Sequence, residues 1–353
     1  MALDKKNRLL LFPKLGKFII IFFAFAFIVA AIRGYQLYMY VFKENAKIDY
    51  VLIIPENASF RQVTDSLKIN DVLGNYKAFH WVSKKKSYPE TVKPGRYHIK
   101  KGMNTNQVVN ILRSGLQEPV DVTFNNVIFN EDLAGKVSKY IQADSVSILN
   151  LFKDEEKIKD YGFTPENFRA MFIPNTYEFY WTTSADEFAD RMKKEYEKFW
   201  TDERRQKADS IGLTPPEVIT LASIVQAETN KSDELPRVAG LYINRLKRGI
   251  PLQADPTVKY AMGDFSLRRI LNSHLEIDSP YNTYKNAGLP PGPINFPERN
   301  AIEAVLNYEH HNYIYMAAKE DFSGYHNFAA TLAQHNRNAE KYRAALNERK
   351  IFN

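Results

Sequence analysis

The sequence predicts an α+β protein: a single N-terminal transmembrane helix, a small α/β module, and then a larger mixed α/β domain. Three observations lead there. An unbroken apolar run lies near the N-terminus, short strand-like runs alternate with amphipathic helical stretches after it, and a nearly all-apolar helix sits in the second half. At 353 residues the chain is long enough for two or three cores. The expected divisions are a tail over 1–17, the membrane helix over 18–42, the small module over 48–116, a connecting region over 117–183 and the larger domain over 184–347.

Residues 18–32 read FIIIFFAFAFIVAAI, without one polar side chain. That run falls slightly short of the roughly 18–20 residues a spanning helix needs. Arg33 and Gly34 interrupt it, and YQLYMYVF then extends it to Phe42. Arg33 can snorkel, and the tyrosines suit a membrane interface. Lys5, Lys6, Arg8, Lys14 and Lys17 precede the segment against Asp4 alone. By the positive-inside rule they place the N-terminus in the cytoplasm and the chain beyond about residue 43 outside. A cleavable signal peptide is the competing reading, with Ala30 and Ala31 as a cleavage site, but the aromatic continuation favours an anchor.

Five cations less one anion leave +4 of the net +7 in front of the segment. The only compact basic run beyond it is Lys84-Lys85-Lys86, so no nucleic-acid partner is expected. Cysteine is absent, which excludes disulfides, thiolate zinc sites and a cysteine nucleophile.

In the small module, Tyr50–Ile54 is strand-like, and Ser59 can cap a helix over Phe60–Ile69. A second helix is expected over Tyr76–Lys85. A turn then leads into the alternating strand of KPGRYHIK (93–100), and a helix over 104–113 stops at Gly115. The connecting region opens with the strand VDVTF (120–124), with helices near 131–142 and 145–153. Ser184 and Glu187 form a capping-box pattern opening a long helix, with Phe188, Met192, Tyr196 and Phe199 at helical spacing and Gly212 as its stop.

The segment from residue 214 to 229, TPPEVITLASIVQAET, is the most informative. Thr214 and Glu217 form a second capping box, with Pro215 in the first turn. At 100° per residue, Val218, Leu221, Ala222 and Val225 share one face, and Ile219 and Ile224 widen it, so this helix should be largely buried. Glu228 falls near its C-terminal end, in line with Leu221 and Ile224. A carboxyl at the edge of an apolar face, beside the negative end of the helix dipole, is pushed toward neutrality and can serve as a general acid. From the wheel alone, a helix-end glutamate in solvent or in a salt bridge is the first reading.

Downstream, GIPLQADPTVKYAMG (249–263), SPYNTY (279–284) and GLPPGPI (288–294) are expected as irregular loops, because Pro and Gly punctuate them. Gln253, Asp255, Tyr260, Tyr281, Asn282 and Tyr284 there suit a sugar, offering hydrogen bonds to hydroxyls and ring faces to pyranoses, although each could equally serve a structural turn. His310, His311, His326 and His335 show no metal-ligand spacing, so no metal is expected; His326, beside Asn327 and Phe328, could contact substrate but reads first as a structural histidine. No P-loop, GxGxxG, GxSxG or SxxK element is present, and no cofactor is expected.

LASIVQAET (221–229), YINRLKRGIPLQADPTVKYAMG (242–263), SPYNTY and GLPPGPI, in this order, resemble the endolytic murein transglycosylases of the MltG (YceG-like) family. KPGRYHIK resembles a stretch of that family's LysM-like module, and IPNTYEFY (173–180) its PDTY-type segment. The family's SIxExET motif has Gln226 at its first acidic position here, while Glu228 matches the catalytic glutamate. The resemblance implies a membrane-anchored, extracytoplasmic enzyme of the bacterial inner membrane that cuts peptidoglycan glycan strands without water, with peptidoglycan synthases as possible partners. It also implies that Asn244, Gln253, Asp255, Tyr260, Tyr281, Asn282, Tyr284 and Gly292 help to hold the glycan. The alternative from another class is a non-catalytic envelope protein that binds or scaffolds glycan.

Overall fold

The computed structural model describes residues 8–267 and 270–349, with side chains from residue 16 onward. The basic residues Lys5 and Lys6 of the expected tail lie outside the described residues, as do the side chains of Arg8 and Lys14. The fold is mixed α and β, in two compact units. One holds the residues up to Pro119 together with Tyr180–Thr182; the other holds Val120–Phe179 and the residues from Thr183 on.

The first unit begins with α1 (Arg8–Phe42). Its portion Gly16–Phe42 is long and apolar enough to cross a bilayer, with a mean hydropathy of 2.3. Its most apolar window is not buried against the protein, as a lipid-facing helix would be left. Then follow β1 (Tyr50–Ile54), α2 (Phe60–Ile69), α3 (Tyr76–Lys85), β2 (Gly95–Ile99) and α4 (Thr105–Ser114). β1 and β2 pair antiparallel with Leu52 opposite Tyr97. Their period-two alternation turns Leu52, Ile54, Tyr97 and Ile99 into a core shared with Leu67, Phe79 and Leu112 of the helices. Capping boxes at Ser59–Gln62 and Asn104–Gln107 start α2 and α4, and Gly115 ends α4 at φ 75°.

The second unit opens with β3 (Val120–Phe124), α5 (Asn130–Val137), α6 (Ser145–Leu151), α7 (Glu155–Asp160) and β4 (Asn175–Phe179). The stretch expected as a connecting region therefore contributes five elements to this unit, and β3 pairs antiparallel with β4. Next come α8 (Ala185–Phe199) and α9 (Asp202–Ile211), where a single long helix was expected. The chain breaks at Trp200, and Thr201 caps a new helix whose first turn carries Asp202 and Glu203. That cap and those acids are start signals strong enough to win over the continuing apolar period.

α10 (Pro215–Glu228) and α11 (Leu235–Lys247) follow, then α12 (Asp255–Met262) and α13 (Arg299–Leu306). α12 corrects the expectation of irregular chain over 249–263. Pro256 sits in its first turn, where no N–H is missed, and Gly263 takes the left-handed conformation that closes it. The stretch 279–294 has no helix or strand, as its prolines and glycines indicate. The hairpin of β5 (Tyr315–Ala318) and β6 (His326–Ala329) and a final helix, α14 (Leu332–Glu348), complete the unit.

α10 runs through the middle of this core. Every side chain from 218 to 225 is buried, including the polar Thr220 and Ser223. Their hydroxyls are satisfied internally. Thr220 donates to the Pro216 carbonyl at 2.9 Å, while Ser223 donates to the Thr220 carbonyl at 2.7 Å and accepts from the Ile294 N–H at 3.0 Å. A helix pinned this way fixes where its last residue, Glu228, can be.

Candidate active site

Glu228 is part-buried, with protein packed around its carboxyl. The Tyr242 hydroxyl, from α11, donates to its Oε1 at 2.6 Å. Burial is the main influence on the acid, because a carboxylate loses hydration there, and it raises the Glu228 pKa to about 7. The Tyr242 bond and the charge of Lys259 pull the other way, and the negative charge of Asp255 adds to the rise. Glu228 is therefore not a solvated helix end, and among the described residues it forms no salt bridge.

A cavity of about 460 Å³ opens beside it, a size that fits a small ligand or a few sugar rings. Gln253, Asp255 and Tyr284 line this cavity with Glu228. The Tyr284 hydroxyl donates to Asp255 Oδ1 at 2.5 Å. Gln253 sits in the left-handed region at φ 51°, a strained position for a residue with a side chain, and its N–H donates to the Thr283 carbonyl at 3.0 Å. The buried Arg245 guanidinium holds the same loop. It donates to the Pro251 carbonyl, to Gln253 Oε1 at 2.5 Å and to the Ile314 carbonyl at 2.8 Å, tying the 250s loop to the approach of β5. His326 and His335 also line the cavity with Tyr315, on which the His335 ring stacks with centroids 5.2 Å apart. Burial, helped by the charge of Arg245, lowers the His335 pKa.

The other expected glycan-holding residues are placed differently. The Asn244 amide is committed to the His311 and Tyr313 carbonyls at 2.7 and 3.0 Å, which latches the chain leading to β5. Asn282 is fully buried and donates to the Leu275 and Ile277 carbonyls. Tyr260 and Tyr281 pack on each other with centroids 4.6 Å apart, and neither lines the Glu228 cavity. Gly292 lies against the backbone of Glu166, where an added Cβ would come within 1.9 Å of the carbonyl oxygen. Sequence reasoning missed Tyr242, Arg245 and His335. Tyr242 and Arg245 stand within the quoted YINRLKRG, but no period or spacing marks them, because their roles arise from chain segments that meet only in the fold.

A larger cavity, about 590 Å³, lies at the opposite end of α10 beside Pro216 and Leu289. Its carboxyl, Glu217, is already taken by the backbone N–H and hydroxyl of Thr214, both at 2.7 Å. Of the two, the smaller cavity is the one that Glu228 lines.

A family model described as the YceG-like family matches residues 52–341. An endolytic murein transglycosylase of Bacillus subtilis (strain 168) is 31% identical over 326 residues, covering 87% of this chain and 88% of that protein. A second, from Streptococcus pneumoniae serotype 2 (strain D39), is 28% identical over 367 residues, covering 94% of this chain and 66% of that protein. The crystal structure of a YceG-like protein from Listeria monocytogenes aligns with a TM-score of 0.55 at 27% identity, over 82% of this chain and 98% of that one.

Proposed function

The chain belongs to the YceG-like family, and on that premise we propose that it is a lytic transglycosylase that cleaves peptidoglycan, with Glu228 as its acid and base. The observation that carries the reading is one desolvated carboxyl, poised near neutrality and held by Tyr242, at the edge of a polar, aromatic-walled cavity.

The bond cut is the β-1,4 link between N-acetylmuramic acid and N-acetylglucosamine. Glu228 arrives protonated and gives its proton to the leaving glycosidic oxygen as the C1–O bond breaks. The muramic C6 hydroxyl attacks C1 of its own ring and yields its proton to the Glu228 carboxylate, which regenerates the acid and leaves a 1,6-anhydro end. No water is consumed. Tyr242 engages Oε1, and Oε2 has no protein partner among the described residues, so Oε2 is the oxygen that meets the substrate.

A glycoside hydrolase would need a second working carboxyl. Asp255 is the other carboxyl at the cavity, and its Oδ1 accepts from Tyr284 at 2.5 Å. In this account Asp255, Tyr284 and Gln253 hold the glycan, and Asp255 also keeps Glu228 protonated by its charge. Asn244, Tyr260, Tyr281, Asn282 and Gly292 support the walls of that site.

The apolar α1 serves as a membrane anchor in the bacterial inner membrane, with the N-terminus cytoplasmic and the chain beyond about residue 43 outside, so that cutting occurs on nascent strands close to the bilayer. The unit around β1 and β2 acts as a LysM-like glycan-binding module. Peptidoglycan synthases, which make such strands, are the partners this placement suits.

The test is the chemistry of the new ends. Full-length protein in detergent, given uncrosslinked peptidoglycan, should release fragments ending in 1,6-anhydro-muramic acid. Reducing ends would make it a hydrolase, and binding without release would make it a glycan-binding protein.

A further inference from the structure

We propose that His326 contacts the glycan, its Nε2 accepting a hydrogen bond from a sugar hydroxyl while the buried Glu234 fixes the ring in the tautomer that permits this. The proposal rests on the glycan reading of the Glu228 cavity and adds to it a second contact residue and a buried partner.

Glu234 is only 3% exposed, yet no lysine or arginine pairs with it among the described residues. Three donors converge on its carboxyl instead. The Thr229 hydroxyl is at 2.9 Å, the His326 backbone N–H at 2.8 Å, and His326 Nδ1 at 2.8 Å. Thr229 Oγ1 itself accepts from the Lys231 N–H at 3.1 Å, which turns its hydrogen toward Glu234. A carboxylate can only accept, so the Nδ1 contact requires the ring hydrogen on Nδ1. A neutral imidazole of that kind has a bare Nε2, which is an acceptor.

That nitrogen has work to do. His326 begins β6 opposite Ala318, and it lines the same cavity as Glu228. Its Nε2 has no protein partner among the described residues and is not sealed from solvent, and the residue lines the cavity. His311 shows what a structural histidine looks like in this protein. Its Nδ1 accepts from the Tyr313 N–H at 3.1 Å, and its Nε2 meets the Arg237 carbonyl at 2.9 Å, so both nitrogens are spent. His326 spends one and presents the other.

The same network ties His326 to the residue that follows Glu228. Thr229 directly follows Glu228 and bonds Glu234, which bonds His326 twice. The acid and the imidazole are thus held in fixed relation by buried groups, the preorganisation a positioned substrate contact requires.

The experiment combines kinetics with nitrogen NMR on the full chain in detergent. His326→Ala should raise KM for uncrosslinked glycan about tenfold, the worth of one hydrogen bond. His326→Gln, whose amide oxygen can stand near Nε2, should restore most of it. Glu234→Gln, whose amide can donate to Nδ1 and move the ring hydrogen to Nε2, should resemble His326→Ala. In 15N-histidine-labelled Glu228→Gln protein, which binds without turnover, the unprotonated Nε2 resonance of His326 should shift on adding muramic-acid-containing tetrasaccharide. An unmoved resonance at saturating glycan, or a wild-type KM in His326→Ala, overturns the proposal. Wild-type protein that makes no anhydro ends would instead remove the transglycosylase reading, and the resonance shift would still decide whether His326 touches glycan.

Discussion

The Tyr242 hydroxyl donates to Oε1 of Glu228 across 2.6 Å, linking the last residue of α10 to the middle of α11. Tyr242 is 2% exposed, so the bond is shielded from water. It favours the ionised acid, burial favours the neutral one, and burial wins, which leaves the Glu228 pKa at about 7.

Because the proposed first step needs the proton on Glu228, activity should be lost on the alkaline side. The kcat/KM profile should fall above a pKa of about 7, by about tenfold per pH unit. A profile flat to pH 9 would detach the reaction from this carboxyl.

Tyr242→Phe removes a bond that lowers the Glu228 pKa, so the alkaline limb should move to higher pH. The loss of positioning should also cut the plateau rate by about tenfold. Asp255→Asn removes a charge that raises the pKa, so its limb should move to lower pH. Opposite displacements in one series of pH–rate profiles are the diagnostic result, and shifts in the same direction would contradict the site's electrostatics.

The raised acid also makes a stability prediction. A carboxyl whose folded pKa lies above its unfolded value near 4.3 holds its proton more tightly when folded. Its contribution is full below the unfolded value and is lost as pH rises through about 7. Glu228→Gln should therefore match wild type near pH 4 and exceed it at pH 8, by on the order of 1–3 kcal/mol. Urea unfolding at the two pH values measures this, and equal stabilities at pH 8 would show that the carboxyl is well solvated.

Gly292→Ala should act on the fold rather than on the site. The added methyl would meet the Glu166 carbonyl oxygen at 1.9 Å, so the backbone must move. A loss of about 2–4 kcal/mol is expected, with KM unchanged in the protein that remains folded. A raised KM at full stability would return Gly292 to the glycan-contact set.

Local signals made much of this architecture readable from sequence. β1, α2, α3 and β3 fall where alternation, caps and apolar runs put them. α8 and α9 read as one helix in the sequence because the apolar period from Phe188 to Phe199 masks the cap at Thr201. α12 was hidden by counting Pro256 as a breaker although its place in the first turn is harmless. In the site, the apolar face of α10 indicates that the helix is buried but not that Glu228 is, since the wheel also fits a solvated helix end, and nothing in the sequence points to Tyr242. It reaches the acid from 14 residues away, through a helix packing that no sequence period encodes.

Glu228 itself offers the most direct measurement. Full-length wild type and Glu228→Gln, each verified as folded by circular dichroism, would be incubated with uncrosslinked peptidoglycan and their soluble products analysed by mass spectrometry. Wild type should give 1,6-anhydro-muramic ends and Glu228→Gln at least about a thousandfold fewer, the scale of losing a general acid and base. Undiminished release of anhydro products by the folded variant would contradict that role for Glu228.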